Sequence, residues 1–98
     1  MSASVFNSLE AVFPQIIALM PDEFDSHDFF LKLAHEYQNL YVRALIEYAD
    51  NDQPFKIVHG QLAQRLLNFP KLVAKAGTRN SEDIFRQIES ATVWKKVK

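Results

Sequence analysis

The chain has no cysteine. That excludes disulfides, thiolate metal sites and a cysteine nucleophile. It suits a reducing cytosol without requiring one. Glycine is nearly as scarce, with only Gly60 and Gly77, so there is no glycine-rich loop to cradle a phosphate. Long apolar runs are missing too. The longest, Ile16 to Met20, is five residues, against roughly 18 for a membrane span. The opening MSASVFNSLEAVF has no basic stretch and contains Glu10, so it does not read as a signal peptide. The expectation is a soluble, cytoplasmic protein with one domain over residues 1–98, because a chain of 98 residues buries one core and not two.

Bulky core material is plentiful: eight Phe, three Tyr and Trp94. The net charge of −1 conceals a division along the chain. Residues 1–52 hold nine acids and two bases, while residues 53–98 hold three acids and nine bases. Such asymmetry is a candidate binding footprint. Acidic helices packed beside basic ones would cancel the same field, since the fold decides where charges face.

The apolar spacing is helical over most of the length. Residues 4–20 place apolar groups every three or four positions, interrupted by Pro14, which predicts a kink or a second helix opening at that proline. Asp25 or Ser26 caps the next helix, Asp25 with Asp28 resembling a capping box, and the stripe Phe30, Leu33, Tyr37, Leu40, Tyr41, Ala44 and Tyr48 predicts a long helix to about Ala49. Pro54 starts the next, with Phe55, Val58, Leu62, Leu66 and Phe69 on its buried face. Pro70 ends it and opens a short helix through Ala76, with Gly77 as a left-handed cap. Asn80 with Asp83, or Ser81 alone, caps a last helix whose core face is Ile84, Phe85 and Ile88. Thr92 to Lys98 alternates and predicts a short extended tail. The fold expected is all-α: a compact bundle of four or five helices, with a long antiparallel helix pair and that tail.

Motifs of chemistry fall short. His35-Glu36 begins the zinc-protease pattern H-E-x-x-H, but Asn39 stands where the second histidine must be. Asp22, Glu23, Asp25, His27 and Asp28 offer oxygen ligands without the order of an EF-hand, and helix capping explains the same residues. His27, His35 and His59 are the only imidazoles, and no nucleophile elbow accompanies them. No metal, cofactor or catalytic residue is expected.

Gln61-Leu62-Ala63-Gln64-Arg65-Leu66, followed by Pro70 to Gly77, resembles a helix-turn-helix, with Leu62, Ala63, Leu66 and Val73 at the matching apolar positions. Leu67 and Asn68 depart from it, standing where such turns carry Gly and an apolar residue. The resemblance implies base contact from Lys71, with Asn68 as a second candidate, and phosphate contact from Lys75, Arg79, Lys95, Lys96 and Lys98. Phe24 to Phe30, Val58 to Ala63, Ser81 to Phe85 and Trp94-Lys95 together resemble a group of small uncharacterised bacterial helical proteins. That resemblance spans about residue 20 to the end; it implies that Trp94 belongs to the domain and brings no activity.

Two functions follow as expectations. The first is a non-enzymatic protein-interaction module, self-association through acidic and basic faces being one form of it. The second is a DNA-binding protein using residues 61–79 and the basic tail. Lys71, Lys75, Arg79, Lys95, Lys96 and Lys98 are the contact candidates for either an acidic partner or nucleic acid.

Overall fold

A computed structural model describes residues 2–97, with side chains from Val5 onward. It corrects the all-α bundle. Five helices stand beside a three-stranded antiparallel sheet, in the order α1 (Ser2–Ala11), α2 (Phe13–Leu19), β1 (Glu23–Asp25), α3 (Ser26–Glu36), α4 (Gln38–Ile46), α5 (Pro54–Leu66), β2 (Val73–Glu82) and β3 (Ile88–Lys96).

The helical half follows the spacing closely. Pro14 lies in the first turn of α2, where its missing N–H costs nothing, and the chain bends between α1 and α2. Phe6, Leu9, Phe13, Ile16, Ile17 and Met20 are buried along the two. Asp25 caps α3 with a full capping box: its carboxylate accepts from the Asp28 amide at 2.9 Å, and the Asp28 carboxylate accepts from the Asp25 amide at 3.0 Å. The expected long helix to Ala49 is divided at Tyr37, whose φ of −133° and ψ of 57° leave the helical region. The Gln38 side chain donates to the His35 carbonyl at 3.2 Å, serving a group the break releases. Each part of the divided helix then aims its own side chains inward: Phe29, Phe30 and Leu33 from α3, Tyr41 and Ala44 from α4. α5 starts at Pro54 and buries Val58, Leu62 and Leu66, one turn apart.

Beyond α5 the expectation fails. Residues 70–76 are not a helix, and neither are residues 81–88. Pro70 sits in a turn that leads into β2. Gly77 does take a positive φ, 121°, but inside a strand. The register shifts between Lys75 and Gly77, leaving Ala76 as a bulge. The residues Asn80, Ser81 and Asp83, read as helix caps, belong to a hairpin. Asp83 closes its turn by accepting from the amides of Phe85 at 2.8 Å and Gln87 at 3.0 Å. Arg86 completes the turn at φ 65°. The supposed core face of that helix is exposed: Phe85 at 54% and Ile88 at 65%. The extended tail is instead the central strand of the sheet, ordered β1-β3-β2. Trp94 pairs in register with Phe24 on one side and Lys75 on the other. It is buried, and its Nε1–H donates to Ser26 Oγ at 3.0 Å. Among the described residues, no helix is long and apolar enough to cross a membrane.

Candidate functional site

The hairpin leans over the N-terminal end of α3, and the join is polar. Asp25, 1% exposed, takes the Arg79 Nε–H at 2.9 Å as well as the Asp28 amide. Arg79 Nη2 reaches the Asp28 carboxylate at 3.2 Å. His27 Nδ1 lies 2.6 Å from Ser81 Oγ. Burial alone would raise the Asp25 carboxyl, but the Asp28 amide, the Arg79 guanidinium and the Ser81 hydroxyl outweigh it and hold the carboxyl below its ordinary value. The His27–Ser81 hydrogen bond acts as a strap between hairpin and helix.

Below the strap lies an open cleft of about 670 Å³, within the range of ligand sites. One wall is the N-terminal half of α5 with Pro54, Phe55, Lys56 and His59, the floor includes Ser26, His27 and Phe30 of α3, and the other wall is the hairpin tip with Asp83, Phe85 and Glu89. Phe85 meets the edge of Phe55 at 4.9 Å. His59 is stacked on Phe30 with ring centres 4.5 Å apart, and its Nε2 is 2.6 Å from the Tyr41 hydroxyl. Burial pushes His59 down to about 4, with the charge of His27 adding to this and that of Asp83 opposing it. Burial pushes Tyr41 up to about 12. Both groups are therefore neutral at pH 7, and the cleft's fixed charges are three carboxylates (Asp52, Asp83, Glu89) against the one ammonium of Lys56.

Among the described residues, the basic side chains singled out from the sequence are not all on one face. Arg79 is engaged by Asp25 and Asp28. Lys95 lies 3.8 Å from Glu23. Lys96 donates from Nζ to the carbonyls of Met20 at 2.7 Å and Ala18 at 3.4 Å, covering the C-terminal end of α2. Lys95 and Lys96 are consecutive on β3 and so take opposite faces. Lys71 and Lys75 are exposed, in the turn after α5 and on β2. Lys98 lies outside the described residues. The recognition helix expected over residues 70–76 is a turn and the start of a strand, so the helix-turn-helix reading of residues 61–79 loses its second helix.

His35 is exposed and bonded to Glu36 at 2.9 Å. No group of three or more His, Asp or Glu among the described residues could hold a metal ion. Sequence reasoning overlooked the cleft, although Phe55, His59, Asp83 and Phe85 were all visible. Their convergence depends on the hairpin folding back over α5, and no spacing rule within either segment carries that. Comparison with family models, curated proteins and solved structures yields no match.

Proposed function

We propose that this domain is a non-enzymatic protein-interaction module that grips a basic, partly apolar segment of a partner in the cleft between α5 and the hairpin. A single observation carries the reading: three carboxylates and the exposed ring of Phe85 border one open cleft, backed by His27, the neutral His59 and Phe30. Cations with an aliphatic stem fit such a surface, since the stem packs on the rings while the charge meets the carboxylates. The same acidity opposes a phosphate backbone, so duplex DNA is the weaker fit here. A chain without cysteine suits the cytoplasm, where we place it.

The test is a titration with a fluorescein-labelled peptide of alternating lysine and leucine, beside its glutamate–leucine counterpart and a mixed-sequence DNA duplex. Binding of the lysine peptide alone is expected, weakening as salt rises. Asp83→Asn, which keeps the oxygen that closes the turn, combined with Glu89→Gln should weaken it roughly tenfold, about 1.4 kcal/mol. Equal binding of both peptides, or a preference for the duplex, would overturn the reading.

A further inference from the structure

β3 is central in the sheet over only half its length. A strand turns its N–H and C=O groups to alternate edges, residue by residue. Three bonds fix the alternation here. Lys96 donates to the Asp22 carbonyl beside β1, whereas Val97 donates to the Leu72 carbonyl beside β2, each at 2.8 Å. At the hairpin end the Gln87 carbonyl, on the β2 side, accepts from the Asp83 amide at 2.8 Å. Even-numbered residues therefore face β1 and odd-numbered ones face β2. The alternation runs unbroken through β3, because the bulge lies in β2. Ile88, Ser90 and Thr92 thus turn their backbone groups toward the β1 side. β1 stops at Asp25, opposite Val93, and the chain turns into α3 at Ser26. Among the described residues, no strand pairs with Ile88–Thr92 on that side. This stretch opens into the cleft, which Glu89, Ser90 and Thr92 line across from Gly60 and Ala63 of α5. A Cβ built on Gly60 would meet nothing within 4 Å, so the facing wall leaves room for another backbone.

We propose that the partner's segment binds extended, as a fourth strand added to the Ile88–Thr92 edge of β3 in line with β1. This rests on the cleft reading above and names the form its occupant takes. Main-chain hydrogen bonds hold such a strand whatever its sequence, and its alternate side chains supply the selectivity. The neighbouring side chains on β3 define that alternation. Ile88 and Glu89 are both exposed and, being consecutive, lie on opposite faces of the sheet. A basic residue beside Glu89 and an apolar one beside Ile88 make favourable cross-strand pairs. The segment therefore alternates basic and apolar residues. The outer edge of β2 is built against such addition, with a bulge at Ala76 and the exposed charge of Lys75. The stretch Ile88–Thr92 has no bulge, no proline and no lysine.

Two measurements on the wild type and one variant test this. The first compares the alternating lysine–leucine peptide with an isomer of the same composition whose leucines recur at helical spacing. The alternating peptide should bind at least roughly tenfold tighter, because its two residue types fall on opposite faces only when it is extended. The second follows hydrogen exchange at Ser90. Its amide should exchange at least roughly tenfold more slowly in the peptide complex, while that of Ala91, turned to β2, should change little. Ser90→Pro removes an outward N–H, a placement that edge strands tolerate. It should weaken peptide binding at least roughly tenfold, with Tm lowered by no more than about 5 °C. Equal binding of the two isomers, or preference for the helical one, overturns the added strand. So does a Ser90 amide that the bound peptide leaves unslowed, or a folded Ser90→Pro variant that binds like the wild type. In each of these cases the alternating peptide still binds, so the cleft reading stands. Equal binding of the lysine and glutamate peptides overturns that reading, and this proposal with it. If Ser90 is slowed by raising the protein concentration alone, the edge serves a second copy and the proposal is overturned.

Discussion

His59 spends most of its chemistry on staying uncharged. Its ordinary value is 6.5 and its folded value is about 4, chiefly because burial disfavours the cation. Between those values the unfolded chain binds a proton that the folded chain does not. The histidine's contribution is therefore whole above about pH 6.5 and is lost as pH falls toward 4. Allowing for the part of the ring that solvent screens, the loss should be about 2 kcal/mol. Urea unfolding at pH 7 and pH 4.5 measures it, and His59→Gln should flatten the difference. Arg86 gives a prediction of the opposite sign. Its φ of 65° crowds the side chain against its own carbonyl. Its ion pair with Glu82 at 3.7 Å is highly exposed and worth little. Arg86→Gly should therefore stabilise the protein by about 0.5–1 kcal/mol, read as a higher midpoint in urea.

At the scale of elements, the hairpin shows where sequence reading succeeds and where it stops. The caps and breaks at Pro14, Asp25 and Pro54 were legible because each acts on neighbours within one turn. The hairpin used the same vocabulary for a different purpose. Asp83 accepts backbone amides two and four residues ahead, an act that begins turns as readily as helices. Gly77 satisfies a bulge as well as a helix cap, since both ask for positive φ. Ile84, Phe85 and Ile88 have helical spacing by accident of a three-residue turn. What settled the matter was pairing over long separations, Asp25 with Val93 and Val73 with Lys96, which local patterns do not encode. The cleft shared that fate. The Asp25–Arg79 strap holds the hairpin in place, and Arg79→Met should expose its importance. Asp25 would keep its cap to Asp28 but lose its counter-charge while buried, costing about 1–3 kcal/mol. Hydrogen exchange should then rise in residues 78–91 before it rises in α5.

Across the whole molecule the aromatic core dominates. Phe13 is fully buried, touching Phe29 edge-on at 4.9 Å and Phe69 at 5.6 Å. Phe13→Ala should cost about 3–5 kcal/mol, a large part of the ~5–10 kcal/mol expected for a domain of this size. Leu62→Ala, at about 2–5 kcal/mol, should lie close behind, both read by urea denaturation with unchanged slope. The order of the strands has a consequence for how the protein comes into being. β3 is the middle of the sheet, yet it lies C-terminal to every other element, and β1 has no strand partner without it. Synthesis delivers the helices, then an edge strand, and only afterwards the strand that joins the two edges. Until Trp94 has emerged, the pocket beneath Ser26 has no occupant and β1 has nothing to zip onto. The nascent protein must therefore wait, with apolar faces showing, for nearly its last described residues. A chain arrested at residue 87 should behave as a sticky helical intermediate, kept from aggregating by whatever holds nascent proteins, while nine further residues let it close.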